Sequence, residues 1–257
     1  MKKLVITAAL VAVTSLTAAD SSQFSMSAAD RAMYEEMLEN NPADIFVAEG
    51  GELFDELITE EDLAKFLGVS EKELPKYIAG FPRHVEKLKD VIGVAGLDQV
   101  MQAIMADKGK KPFKLKSKEM FSMLAYAKSL ANDEPINIDV NADEHIKKFY
   151  KLGEEVYNTP RGGRGLACLS CHSEATIGLA LRTQILPNLG KVNAGGTWPA
   201  YRMTKSSLRT LQRRFQGCMN NALQAVIPIG SKEMVALEVY VTNMAKGKPI
   251  AIPGLKR

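Results

Sequence analysis

The sequence predicts a mainly α fold built as two domains of similar design. Three observations predict it: helix-capping patterns recur along the chain, no apolar–polar alternation is long enough for a sizeable sheet, and one stretch of 22 residues returns at a constant offset of 114.

Before the first of these helices comes an address. Lys2 and Lys3 precede an uncharged, mostly apolar run over residues 4–19, which closes on Thr17-Ala18-Ala19. A charged start, a short apolar stretch and small residues at the end predict a secretory signal over residues 1–19, cleaved after Ala19, and hence a periplasmic protein. The run is too short to span a bilayer and no later stretch could, so no membrane span is expected. Three cysteines exclude dense disulfide stapling and leave an odd thiol to explain. Charge is nearly balanced overall, but residues 147–218 hold twelve Lys or Arg against three acids. In an exported chain that points away from nucleic acid and toward an anionic substrate or an acidic partner surface.

Ser27 with Asp30 caps a helix that carries Met33, Tyr34, Met37 and Leu38 at helical spacing. Thr59 with Asp62 opens a segment that stops at Gly68, and Ser70 with Glu73 opens another before Gly80-Phe81-Pro82 breaks the pattern. The repeat comes next. Residues 117–138 read SKEMFSMLAYAKSLANDEPINI and residues 231–252 read SKEMVALEVYVTNMAKGKPIAI, identical at nine of twenty-two positions. Each copy is a capped helix with a proline-bearing stop. A weaker echo pairs Gly50-x-x-Leu53-Phe54 with Gly153-x-x-Val156-Tyr157. Duplication is therefore expected, with domains at 24–140 and 141–257.

Chemistry resides in the second copy. Cys168-Leu169-Ser170-Cys171-His172 is the signature for covalent haem attachment. Two cysteines three apart can each add to a haem vinyl group, and the adjacent histidine supplies an imidazole to the iron. A redox-active CxxC disulfide or a zinc site completed by Cys218 needs no histidine at that place. The corresponding stretch of the first copy, Lys65-Phe66-Leu67, has no cysteine. The expected fold is thus mainly α, with two cytochrome c-like domains related by duplication and only the second carrying haem, one covalently bound haem c in all.

The second axial ligand is open at this level. His84 lies in the haem-free half and His145 precedes the motif, so both read as surface residues. Met203 and Met219 are ordinary candidates for a plain electron carrier with His/Met ligation, while Met234 and Met244 fall on the repeated helix, where core packing is expected. Cys218 is the third option. Ser206-Ser207 would cap a helix burying Leu208, Leu211 and Phe215, and on it Arg214 and Cys218 stand four apart, on one side. A guanidinium there favours thiolate over thiol and can grip an oxyanion; a buried free cysteine among solvated arginines is the equal alternative. Arg202 and Arg213 read as solvated.

Trp198-Pro199-Ala200-Tyr201-Arg202, followed by Leu211-Gln212-Arg213-Arg214-Phe215-Gln216-Gly217-Cys218 after a CxxCH, resembles the A subunits of the SoxAX thiosulfate-oxidising cytochromes, in their single-haem form. The resemblance extends to Asn41-Pro42-Ala43-Asp44 and Phe81-Pro82-Arg83. It implies an L-cysteine S-thiosulfotransferase. Cys218 would be both distal iron ligand and catalytic sulfur, often a persulfide in the family, with Arg214 positioning thiosulfate. It also implies a heterodimer with the haem subunit SoxX, the carrier SoxYZ as acceptor of the thiosulfonate group, and a soluble electron acceptor.

Overall fold

The computed structural model describes residues 27–90, 92–181 and 184–257; the expected signal segment lies outside the described residues. Among the described residues no helix is long and apolar enough to cross a membrane.

The first half opens with α1 (Ala28–Glu39), α2 (Asp44–Leu57), α3 (Glu60–Leu67) and the short α4 (Leu74–Ile78). Ser27 caps α1 through the Asp30 amide at 2.9 Å. A reciprocal Thr59–Asp62 box starts α3, and Gly68 at φ 73° ends it. Ser70 and Glu73 bond each other as well, but in a turn: α4 begins one residue later, without a side-chain cap. A two-residue hairpin, β1 (Arg83–His84) on β2 (Val94–Ala95), leads to α5 (Leu97–Asp107) and α6 (Lys118–Ser129). The second half runs α7 (Glu144–Asn158), α8 (Leu169–His172), hairpin β3 (Ala180–Leu181) and β4 (Gln184–Ile185), β5 (Ala200–Arg202), β6 (Ser207–Arg209), α9 (Leu211–Asn221), α10 (Lys232–Met244) and β7 (Gly254–Lys256). Strand β5 is central in a small sheet, antiparallel to β6 and parallel to β7.

Two helix crossings organise the molecule, α2 on α6 and α7 on α10. Ser117 and Ser231, the first residues of the repeated stretches, cap α6 and α10 through the amides of Met120 and Met234. At each crossing a glycine meets backbone. A Cβ on Gly50 would lie 2.0 Å from the Ser122 carbonyl oxygen, and one on Gly153 would lie 2.0 Å from that of Ala236. Ser122 and Ala236 are 114 apart, as are Tyr126 and Tyr240. Those tyrosines make matching tilted ring contacts beside the crossings: Phe54 meets Tyr126 with ring centroids at 5.2 Å, and Tyr157 meets Tyr240 at 5.1 Å.

The ends of the repeated stretches hydrogen-bond to each other. Ile136 donates its amide to Lys248 (2.8 Å) and Ile250 donates to Glu134 (2.9 Å); Asp133 donates to Ile250 (3.0 Å) and Gly247 to Ile136 (2.8 Å). Each bond has its counterpart 114 residues away, around a bridge between Pro135 and Pro249. Asp133 and Gly247 hold the left-handed conformation at the two equivalent turns. One apolar core runs through both halves, from Phe54 and Met101 to Val235 and Ile252, and a second gathers Tyr157, Trp198, Phe215, Leu237 and Val241 beneath Cys168.

Between the halves lies a buried charged group: Asp98 of α5, Lys128 of α6 and Glu238 of α10. Gln212 of α9 donates to Glu238 at 2.7 Å and accepts from the Gly230 amide at 2.8 Å. Burial, then the charge of Glu238, pushes the Asp98 carboxyl up to about 7. The folded protein therefore holds this proton at pH values where the unfolded chain, with an ordinary carboxyl near 3.9, has released it. Stability attributable to Asp98 is complete below about pH 4 and declines as pH rises toward about 7, by a few kcal/mol.

Two outcomes are expected. Asp98→Asn keeps an oxygen for the Gln99 amide, which Asp98 Oδ1 accepts at 2.9 Å, and flattens that decline, so its melting temperature gains on the parent between pH 4 and 7; parallel curves would overturn the assignment. Gly153→Ala drives a methyl into backbone and costs on the order of 2–4 kcal/mol, measurable by denaturant titration.

Candidate active site

Helix α7 delivers the chain to the attachment motif. Asp143 caps it through the His145 and Ile146 amides, and its buried Phe149, Gly153, Val156 and Tyr157 face α10. Past its end, residues 161–166 close a small loop through the Arg161 amide to the Leu166 carbonyl, 3.0 Å. Helix α8 then presents Cys168, Cys171 and His172 within one turn, braced by the Ser170 hydroxyl on the Ala167 amide and by Tyr157, whose hydroxyl donates to the His172 carbonyl at 3.3 Å.

His172 has a fixed tautomer. Its Nδ1 lies 2.9 Å from the Pro187 carbonyl oxygen, and a carbonyl only accepts, so Nδ1 carries the proton and Nε2 keeps its lone pair for a metal. The imidazole faces the sulfur of Cys218.

Cys218 comes from α9. That helix is capped by Thr210, whose hydroxyl accepts from the Arg213 amide at 3.2 Å; Ser206 and Ser207 do not cap it, and Leu208 sits in strand β6. The capping serines fail because residues 207–209 are extended by pairing with β5, which postpones the helix. Burial pushes the Cys218 thiol up, but the charge of Arg214, with that of Arg202, favours its anion and brings the thiol below its ordinary value. In contrast, burial and the neighbouring Cys218 push Cys168 up to about 12. Of the three cysteines, only Cys218 has its thiol brought below the ordinary value by its surroundings.

Arg202 was expected in solvent. The sheet places it half-buried on β5, where burial and the like charge of Arg214 bring its guanidinium down to about 10. A sequence signal existed in its place at the end of the Trp-Pro-Ala-Tyr-Arg run, but it meets Arg214 through the sheet, where β5 pairs with the β6 strand that leads into α9 and with β7. Arg213 is also half-buried, not solvated, with its Nε lacking a partner.

The methionines are placed elsewhere. Met203 packs with Tyr34 and Leu255, Met219 and Met234 are buried in the second-half core, and Met244 packs against it. His84 and His145 stack on each other at 4.4 Å at the junction of the halves, a pairing that spacing gives no hint of.

A haem fits these residues. Two cysteines, a histidine with Nε2 free and a facing sulfur compose an attachment and ligation set, and a buried guanidinium nitrogen without a partner, Arg161 Nε, lies on the adjoining loop. His172 and Cys218 would hold the iron, and Cys168 and Cys171 would hold the porphyrin.

The family model described as SoxA/TsdA, cytochrome c domain, matches residues 152–250. The L-cysteine S-thiosulfotransferase subunit SoxA of Hydrogenophilus thermoluteolus is 28% identical over an alignment covering 100% of both chains. That of Chlorobaculum thiosulfatiphilum is 28% identical over 84% of this chain and 72% of its own. Among solved structures, SoxXA from P. pantotrophus superposes with a TM-score of 0.71 at 23% identity, covering 84% of this chain and 79% of that one, a likeness of fold. Residues 152–250 thus resemble the cytochrome c domain of the SoxA/TsdA type, and the likeness to SoxA proteins extends along the whole chain.

Proposed function

We propose that this chain is the catalytic subunit of a thiosulfate-oxidising cytochrome, joining thiosulfate to a cysteine of a carrier protein. The observation that carries the reading is the meeting of Cys218 with Arg214, Arg202 and His172. The overall change, carrier thiol plus thiosulfate dianion to cysteine S-thiosulfonate, one proton and two electrons, joins two sulfurs and breaks the S–H bond. Arg214 and Arg202 supply two guanidinium groups for a dianion, and each can bond its oxygens in pairs. Their charge also favours the anion of the Cys218 sulfur, the form that would bond a sulfur of the substrate once two electrons are withdrawn. When bound, the haem supplies a one-electron acceptor, so the second electron calls for another redox centre, which supports a heterodimer with a haem subunit of the SoxX kind and a soluble electron acceptor. The carrier would be a SoxYZ protein, the relatives' name being that of a thiosulfotransferase acting on cysteine.

The arrangement of the chain is read in the same way. Two cytochrome c-like domains, 24–140 and 141–257, would descend from one by duplication, which the matched glycine crossings, aromatic pairs and reciprocal hydrogen bonds support. The first half has no cysteine and would carry no haem. Cleavage after Ala19 and release into the periplasm complete the reading, with one haem c per chain.

Mass spectrometry of the mature protein should find one haem and, where Cys218 is a persulfide, one additional sulfur. Cys218→Ala is expected to keep the haem, lose the thiolate signature in electron paramagnetic resonance and lose thiosulfate-dependent turnover with the carrier. A far-red methionine-to-iron band persisting in that variant with turnover intact would overturn the proposal in favour of a plain electron carrier. Arg214→Ala should cost about 1.5–3 kcal/mol in apparent affinity or transition-state stabilisation, read from the dependence of turnover on thiosulfate; an unchanged dependence removes Arg214 from the site.

A further inference from the structure

Charge on this chain is segregated. Residues 108–118 hold six lysines and no acid, and all six lysines are exposed. The run is held in place: Gln102 of α5 donates to the Phe113 carbonyl at 2.6 Å, and Ser117 caps α6. Beside it, where the two halves meet, opens a cleft of about 480 Å³. Exposed Lys89, Lys148 and Lys232 stand at its rim, and buried Val94, Phe149 and Val235 form its floor. Leu115 joins run and cleft, since a Cβ on Gly230, in the cleft wall, would lie 2.2 Å from its Cδ1.

Little of this charge is neutralised. Among the described residues no carboxylate lines the cleft. Lys108 pairs with Asp62 and Lys89 with Glu86, while Lys148 and Lys232 enter no ion pair. Lys232 instead holds its Nζ 5.8 Å from the centre of the Phe149 ring. Like charges gathered on one face raise the potential there and draw a negative partner in from a distance.

Residue type narrows the partner. Arginine, with its fixed fork, suits a single small oxyanion; the run and the rim use lysine, a point charge on a flexible stem that suits several carboxylates spread along a surface. An anionic membrane fits less well, because none of the exposed large apolar side chains lies in the run or at the cleft to anchor in lipid. A polypeptide fits better: its acidic side chains meet the lysines while one apolar side chain fills the cleft. Residues 27–62, with twelve acids against Arg31 alone, repel such a partner and so orient its approach.

We propose that the lysine run and the cleft at the junction of the halves form a docking surface for an acidic segment of a partner protein, seated by an apolar side chain in the cleft. The proposal is independent of the haem reading.

Fluorescence anisotropy tests this with the mature protein at low salt and a labelled, capped peptide of glutamates around one central phenylalanine. Binding should saturate, weaken as salt rises, and weaken severalfold when glycine replaces the phenylalanine. Lys148→Gln combined with Lys232→Gln should weaken it on the order of tenfold. Lys191→Gln combined with Lys246→Gln, an equal loss of exposed charge elsewhere, should change it by less than about twofold. Equal weakening by the two pairs, or indifference to the central phenylalanine, reduces the face to unspecific attraction and overturns the proposal. Vesicles of phosphatidylglycerol that hold the protein while peptide binding never saturates would overturn it too, in favour of a membrane-facing surface.

Discussion

Gly153 and the carbonyl of Ala236 touch, backbone to backbone, where α7 crosses α10. Much else depends on that contact. The C-terminal end of α7 feeds the loop and the CxxCH turn, so the angle and height of α7 on α10 set where Cys168, Cys171 and His172 stand. Helix α9, carrying Arg214 and Cys218, shares the core formed by α10 through Leu211, Phe215 and Met219. One close approach, available only to a residue without a side chain, therefore fixes the geometry between the two sides of the site.

Within that frame, electrostatics divides the labour among three chemically identical thiols. Cys168 and Cys171 are in surroundings that disfavour the anion, whereas Cys218 stands before Arg214, Arg202 and His172. The same guanidinium groups that favour the Cys218 anion are suited to an anionic substrate, so in the proposed reaction one pair of charges would serve both to activate the sulfur and to recognise its partner. Like-charge repulsion between Arg202 and Arg214 is a cost of this arrangement, and a dianion between them would relieve it.

Local chemistry was the most legible part of the sequence. Caps at Ser27, Thr59, Ser117 and Ser231 are set by short-range hydrogen bonds and stand where the residues indicate, and the CxxCH turn needs only its own five residues. The Arg214–Cys218 relation was legible too, being one helical turn. What spacing could not convey was contact across the sheet. Arg202 reaches the site because β5 lies between β6 and β7, and the same pairing makes Ser207 a strand residue rather than a cap. The stack of His84 on His145 is likewise a meeting of distant segments that carries no local signature.

The place of β7 in that sheet bears on the order in which the protein acquires its shape. Strand β5 is flanked on one side by β6, a few residues downstream, and on the other by residues 254–256, made some fifty residues later. A chain emerging from a pore can form the CxxCH turn early, but Arg202 gains its second neighbour strand only when the final segment has arrived and docked in register. The meeting of Arg202 with Arg214 is then the last feature to set, after the segment that would receive haem.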